Sequence, residues 1–361
     1  MSEKNFIDLK NDSFKGLEEE FAALNLNSEK QRAVDLVEKN LQEITKSDRI
    51  ILRKIMNKRP LKIYWGTAIT GRPHIGYFLP ILKIRDFLAA GCELKILLAD
   101  IHGFLDNLKA PIELVEERYK YYKKLIKSML KSVVSEEELS RVTFVKGSDF
   151  QKSPEYTFDL YKLSSFTTER DCKRAGSDVV KQKENCLLSS LIYPNMQALD
   201  EEYLKVDAQF GGEDQRKIFM HAKTFLPKIG YKKRIHLMNP MMPGLSSDKM
   251  SSSDESSKID LLDSKTVISK KIKKCFCEEG NAKTGILTIF NFLIFNYFEK
   301  VSILEKEYKS YEELESAFTG KKIHPGDLKE ACILYVNKMV GPVREEMLED
   351  QEMIKKAYGK I

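Results

Sequence analysis

Three short stretches of this chain gather residue types that could do chemistry. In WGTAITGRPHIGYF (65–78), glycines, a proline and a histidine interrupt an apolar run. Glycines just after a strand let a ligand approach the backbone, and the free N–H groups and positive dipole end of the next helix suit phosphate. His74 adds a donor there and Gly76 keeps the backbone bare. A histidine at a helix start can equally be a cap, so the motif is weak alone. The second stretch is Lys249, Met250, Ser251, Ser252 and Ser253, within SSDKMSSSDESS (246–257). A lysine among small hydroxyl residues suits the β- and γ-phosphates of a nucleotide, and a flexible loop can close over them. An ordinary linker has the same composition. The third is Tyr193, Gln197 and Asp200 in LIYPNMQALDEEYLK, where steps of four and three residues put all three on one stripe of a helix. Pro194 is expected in the first turn of that helix, and Glu201, Glu202 and Lys205 are expected to supply its polar surface. Beyond it, VDAQFGGEDQRK passes through paired glycines into Asp214, Gln215 and Arg216 at the next helix start, a second place where a ligand can reach bare backbone.

Such residues need a frame. Residues 1–60 carry apolar positions at helical spacing and read as an extension of one or two helices. From Leu61 the pattern becomes an apolar strand LKIYW, a glycine-rich turn, a helix from about Pro73 to Ala90 closed by Gly91, and a strand ELKILLAD. The alternation continues through a helix at 112–131 and strands at 141–147, 206–212 and 234–240, with a helix at 214–226. This predicts an α/β fold, a Rossmann-like parallel sheet covered by helices, with ligands collecting outside the carboxyl ends of the strands. After the serine-dense stretch the chain reads as helices, so a boundary is expected near 258, with a mainly helical domain over 258–361.

Composition narrows the class of protein. The 361 residues are 42% hydrophobic and 32% charged, as in a soluble protein of two or three domains, and no apolar run of membrane-spanning length occurs. A cytoplasmic protein without membrane contact is expected. The six cysteines are scattered, and Cys275 and Cys277 lack a second pair or a histidine at metal spacing, so reduced thiols and no metal site are expected. A net charge of +6 identifies no partner, although basic runs at 119–131, 231–234 and 269–274 could hold phosphates.

Together these stretches resemble a known family. PHIGY and KMSSS resemble the two signatures of class I aminoacyl-tRNA synthetases. LKIYWGTAITGRPHIGYF, IYPNMQALDEEYLKVDAQFGGEDQRK, HLMNPMMPGLSSDKMSSS and HPGDLK (324–329) look like tyrosyl-tRNA synthetases of the eukaryotic and archaeal type. The resemblance runs from about residue 48 to the C-terminus. It implies that tyrosine and ATP form tyrosyl-adenylate and pyrophosphate, with Mg²⁺ assisting, and that the tyrosyl group then passes to the terminal adenosine of tRNA(Tyr). By matching motif, Tyr64 and Asp200 would meet the substrate phenol, and Tyr193, Gln197 and Gln215 its ammonium. His74 and Gly76 would contact ATP, Asp214 its ribose, and Lys249 to Ser253 its phosphates. Arg216 would touch the acceptor stem and Asp327 the first anticodon base.

The resemblance also implies a homodimer, with an insertion at about 111–190, holding the lysine-rich helix 119–131, that helps build the interface. Two departures stand out. Serines replace the usual second lysine of the lysine-rich loop, and the aromatic-Gly-Gly triplet that stacks on the anticodon is missing, with Tyr308 a candidate in its place. The rival readings are a tryptophanyl-tRNA synthetase and a non-catalytic RNA-binding relative. A phenol hydroxyl suits a donor and an acceptor together, as Tyr64 and Asp200 provide, which favours tyrosine.

Overall fold

Five apolar segments, β1 (Lys62–Ala68), β2 (Glu93–Ala99), β3 (Val142–Lys146), β4 (Ala208–Gly212) and β5 (Ile235–Asn239), pair in parallel in the order β3-β2-β1-β4-β5. The computed structural model describes residues 26–106, 109–179, 186–242, 244 and 258–359. Near-continuous apolar sequence in these strands reflects helices on both faces of the sheet. The strand order reverses at β1 and β4, and at that switch point the carboxyl ends of the strands splay open. Alternation along β1 sends Ile63 and Trp65 into the main core and Tyr64 to the opposite face.

The helices divide by position. α1 (Ser28–Glu38) and α2 (Lys46–Met56) precede the sheet, and α3 (Phe78–Ala89) joins β1 to β2. α4 (Val115–Lys131), α5 (Pro154–Ser164), α6 (Leu188–Tyr203) and α7 (Arg216–Phe225) follow, and α8 (Lys265–Lys274), α9 (Pro325–Leu348) and α10 (Gln351–Tyr358) lie towards the C-terminus. Gly91 closes α3 at φ +80°, a conformation that costs glycine little. The helix expected from Pro73 begins later. His74 is extended and accepts from Gly76 N, a short 3₁₀ turn covers Ile75–Tyr77, and α3 starts at Phe78.

The N-terminal helices are built into this frame. Lys83 is buried, and its amine donates to the Leu36 and Lys39 carbonyls at the end of α1, 2.8 and 2.6 Å away. Asp48 at the start of α2 is buried and accepts from Lys223 on α7 and from the His236 backbone N–H. Residues 42–43 pair with Met238, Gln42 N donating to its carbonyl and Met238 N to the Glu43 carbonyl, so the outer edge of β5 is covered.

Three features differ from the expectations above. Pro194 lies inside α6, not in its first turn, because the helix begins at Leu188. Glu201 is no surface residue: it is fully buried and lies 2.6 Å from the buried His236. The C-terminal region also holds a two-stranded hairpin, Val301–Ile303 with Lys306–Tyr308, whose Val301 and Tyr308 side chains are buried. The lysine-rich helix α4 turns Tyr121, Tyr122, Leu125 and Met129 inward and packs on α9 and α10, leaving lysines such as Lys131 near the surface, where it pairs with Glu346.

Candidate active site

A cavity of about 370 Å³ opens at the switch point, floored by β1 and β4. It collects Tyr64 from β1, His74 and Gly76 from the turn before α3, Tyr193, Gln197 and Asp200 from α6, and Asp214 and Gln215 from the start of α7. The stripe spacing on α6 explains how one helix presents three of these side chains to one space. Arg216 and Asp327 are not among its walls. Lys249, Met250, Ser251, Ser252 and Ser253 lie outside the described residues. The segment after their stretch, from Lys258 onward, is nonetheless tied to the His74 turn. Ile75 N donates to the Ile259 carbonyl at 2.9 Å, and Arg72 pairs with the buried Asp260 at 3.0 Å.

The centre of the site is Asp200, which is 1% exposed. Its Oδ1 accepts from Gln151 Nε2 at 2.8 Å and from Tyr156 Oη at 2.9 Å. Its Oδ2 has no protein hydrogen-bond partner and lies 3.8 Å from His102 Nε2. Burial pushes the Asp200 carboxyl up to about 7, against the opposing pull of Gln151 and Tyr156. His102 is pushed down to about 4 by burial and is neutral at pH 7, so it adds no charge there. Tyr64 Oη is likewise buried without a protein partner, and burial, reinforced by the Asp200 charge, holds its phenol well above the usual range. The cavity thus offers one fixed hydroxyl donor and one carboxylate oxygen, the pair that a phenol hydroxyl would satisfy.

Further out, Gln197 Nε2 donates to Gln215 Oε1 at 3.1 Å, leaving the Gln197 carbonyl as an acceptor beside Tyr193. The Tyr193 ring stands edge-on to His102 at 4.6 Å. The steric need for glycine lies at the second glycine pair. A Cβ on Gly211 would come within 2.9 Å of the Phe219 ring and 3.0 Å of Gln215, and one on Gly212 within 2.6 Å of the Asp214 carboxylate. At Gly66 a Cβ would make only ordinary contacts, the nearest at 3.5 Å. Phe219 is fully buried and stacked on His236 at 4.5 Å, so it has no room to yield. Gly211→Ala is therefore expected to cost about 1–3 kcal/mol of stability and, by moving Gln215, to raise the KM of the substrate that the cavity binds. Denaturant unfolding and substrate titration of the variant check both, and an unaltered KM would remove Gln215 from the substrate's surroundings.

Two expected contacts sit elsewhere. Arg216 is half exposed and its Nε lies 2.8 Å from Glu43 Oε2, an ion pair 173 residues apart in sequence. Asp327 is in the first turn of α9, where the helix dipole favours an acidic residue and His324 caps the end. Tyr308 is 3% exposed, so its ring is not presented for stacking, which corrects the expectation placed on it. Sequence reasoning also missed Gln151, Tyr156, His102 and the buried Gln209, whose Oε1 has no protein partner and which lines the cavity. No spacing could have found Gln151 and Tyr156, since they reach Asp200 across 49 and 44 residues from two other helices, Ser148–Gln151 and α5.

A parallel sheet with its site at the switch point, and a first turn built around PHIGY, define a nucleotide-handling α/β enzyme, and the comparisons agree. Residues 56–341 match the family model described as tRNA synthetases class I (W and Y). The chain is 70% identical, over 91% of its length and 96% of the relative's, to a protein named probable cytoplasmic tyrosine–tRNA ligase from Enterocytozoon bieneusi. It is 54% identical, over 90% of its length and 98% of the relative's, to one so named from Encephalitozoon cuniculi. The tyrosyl-tRNA synthetase of Archaeoglobus fulgidus, solved with L-tyrosine, superposes with a TM-score of 0.80 at 33% identity, covering 88% of this chain and 99% of that one. The chain belongs to the class I aminoacyl-tRNA synthetases and, within them, to the tyrosyl-tRNA synthetase family.

Proposed function

We propose that this chain activates L-tyrosine with ATP, releasing pyrophosphate, and transfers the tyrosyl group to the 3′-terminal adenosine of tRNA(Tyr). The observation that carries this is the pair of buried polar atoms without protein partners, Tyr64 Oη and Asp200 Oδ2, on the walls of one cavity at the switch point. The substrate phenol would accept from Tyr64 and donate to Asp200. Its ammonium would rest on Tyr193, Gln197 and Gln215. ATP would lie over the His74–Gly76 turn with its ribose at Asp214, and Lys249 with Ser251, Ser252 and Ser253 would hold its phosphates.

The tyrosine carboxylate is ionised at neutral pH and attacks the α-phosphate directly, so no protein nucleophile is needed. Catalysis then comes from positioning and from charge placed where pyrophosphate departs. Mg²⁺ would neutralise charge on the phosphates, riding with ATP as it usually does in place of a dedicated protein cage. Among the described residues no group of three or more His, Cys, Asp or Glu is arranged to hold a metal ion. The 70% and 54% identical relatives are both named tyrosine ligases, which favours this reading over tryptophan. Their names place them in the cytoplasm, and we assign this chain the same location. No helix among the described residues is long and apolar enough to cross a membrane.

Tyrosine-dependent exchange of pyrophosphate into ATP tests the reading, and exchange driven by tryptophan instead of tyrosine would overturn it. In the same assay Lys249→Ala is expected to slow exchange far more than it weakens tyrosine binding, because the ammonium is most useful as pyrophosphate leaves. Equal losses in the two would reject that role.

The division into a catalytic region over 61–257 and a helical tRNA-binding region beyond 258 belongs to the same proposal, as does the contact of Arg216 with the acceptor stem and of Asp327 with the anticodon. Arg216 would exchange Glu43 for RNA phosphate when tRNA arrives. We assign the functional unit as a homodimer. The support is that two helices packed together both leave large apolar side chains exposed, Phe158 and Tyr161 (65%) on α5, and Leu187, Leu188 (77%) and Ile192 at the start of α6. Leu188→Asp is expected to convert the dimer to monomer at micromolar concentration in light scattering, and a wild-type monomer with full charging activity would refute the assembly.

A further inference from the structure

A second cavity, of about 250 Å³, lies where three parts of the chain meet. Asn40 and Gln42 come from the segment after α1, Leu82 from α3, and Asn291 and Phe292 from the C-terminal region. Leu79, Asn239 and Pro240 line this cavity and the active-site cavity alike, so the two share a partition. Specific contacts hold the junction together. Residues Phe290–Ile294 form a π-helical turn, a rare conformation that recurs at functional sites. Asn296 braces it, Nδ2 donating to the Asn291 and Phe292 carbonyls at 2.9 and 3.1 Å. Asn296 Oδ1 accepts from Asn40 Nδ2 at 3.2 Å, and its carbonyl accepts from Arg85 Nη1 at 2.8 Å. Asn40 itself is held at φ +56°, a conformation that asparagine tolerates better than most residues.

Carboxamides dominate the polar chemistry of this cavity. Asn239 is 4% exposed and its Nδ2 has no protein hydrogen-bond partner, a buried donor that is costly to leave unmet. Gln42 and Asn291 add two exposed carboxamides. The charged groups on the wall are already engaged. Asp86 lies 3.3 Å from Arg85 and 4.0 Å from Lys83, whose ammonium is held by the α1 carbonyls. That leaves little to attract an anion. Between the polar groups lie the apolar surfaces of Leu79, Leu82, Phe292 and Pro240. A flat, uncharged heterocycle with a donor and an acceptor side by side on its edge matches both features. A carboxamide recognises adenine in this way, donating to N7 and accepting from the N6 amino group. We propose that this cavity is a second ligand site, which takes an adenine nucleoside with its ring against Phe292 and its edge on the carboxamides of Gln42, Asn239 and Asn291. It is separate from the place given to ATP over the His74–Gly76 turn, and it meets the catalytic cavity only through the shared partition.

The test uses the full chain with its catalytic cavity filled by a non-hydrolysable tyrosyl-adenylate analogue, titrated with adenosine, AMP and guanosine in a calorimeter. One further equivalent of adenosine per chain is expected to bind. AMP should bind about as well, since its phosphate gains no free cation, and guanosine about tenfold more weakly, because its O6 reverses the donor that N6 supplies. The double variant Gln42→Ala/Asn291→Ala changes two exposed side chains outside the catalytic cavity. It should weaken adenosine binding about tenfold and leave tyrosine-dependent pyrophosphate exchange and the melting temperature unchanged. Asn239→Leu should abolish the second equivalent. If that variant fails to fold, the double variant decides alone. The inference is overturned if the filled wild-type chain takes up no adenosine, if the double variant binds it undiminished, if guanosine binds equally well, or if AMP binds far more tightly and so reveals a phosphate site. Should the analogue itself not bind, the reading of the catalytic cavity falls, and adenosine titrated into the unfilled chain still decides, because the double variant must then lose the equivalent that belongs to the second cavity.

Discussion

Asp200→Ala is expected to lower kcat/KM for tyrosine in pyrophosphate exchange by about 100-fold and to change it little for phenylalanine. A hydrogen bond to a charged group contributes about 1.5–3 kcal/mol, and tyrosine would lose that bond while phenylalanine never made it. The preference between the two substrates should therefore narrow. Tyr156→Phe should move in the same direction by less, because it removes one of the two donors on Asp200 Oδ1 and leaves Gln151 in place. A pH profile gives an independent check. With the carboxyl pushed up to about 7 by burial, a growing fraction of the free enzyme holds Asp200 protonated as pH falls below 7. A phenol donating to Oδ2 favours the ionised form, so the KM for tyrosine should rise in that range, and the rise should vanish in Asp200→Ala. An undiminished preference for tyrosine in Asp200→Ala would remove Asp200 from the pocket and with it the common purpose of Tyr193 and Gln197.

The largest effect on stability is expected at Glu201 and His236. The two side chains are 0% exposed and 2.6 Å apart, and His236 is stacked on Phe219. Removing one partner leaves the other buried without compensation. Glu201→Ala and His236→Ala should each cost about 3 kcal/mol or more in denaturant unfolding. Replacing both with leucine and phenylalanine of comparable volume should cost less than either single change, since an apolar pair carries no desolvation penalty. Additive losses in that cycle would show that the two act separately. Because Glu201 adjoins Asp200 on α6, the single variants should also weaken tyrosine binding by loosening the helix.

Much of the frame was legible. Alternation of apolar strands with helical segments is local, and it located all five strands of the sheet to within a residue or three at each end. Gly91 marked the end of α3 because a positive φ is a property of one residue. The stripe of Tyr193, Gln197 and Asp200 came from helix periodicity alone. Pro194 misled because its ring fits a first turn better than a helix interior, yet α6 accepts it at its seventh residue, where packing of both flanking turns outweighs one lost hydrogen bond. The hairpin at 301–308 was invisible because its strands are three residues long, too short for alternation to register. Glu201 misled for another reason: charge in a sequence predicts exposure, and only a partner from a distant strand reverses it.

The sequence by itself determined the periodic elements, the glycine turns and the motifs that mark the family, because each depends on residues within a few positions of one another. The tertiary structure alone decided which polar groups are desolvated and what they face. Gln151 and Tyr156 fix one oxygen of Asp200 and leave the other to the cavity, Glu43 holds Arg216 from the far side of β5, and Cys275 and Cys277 turn inward so that Phe276 faces out. These are contacts between segments brought together by burial of the core, and their energies depend on loss of water, which no local pattern encodes.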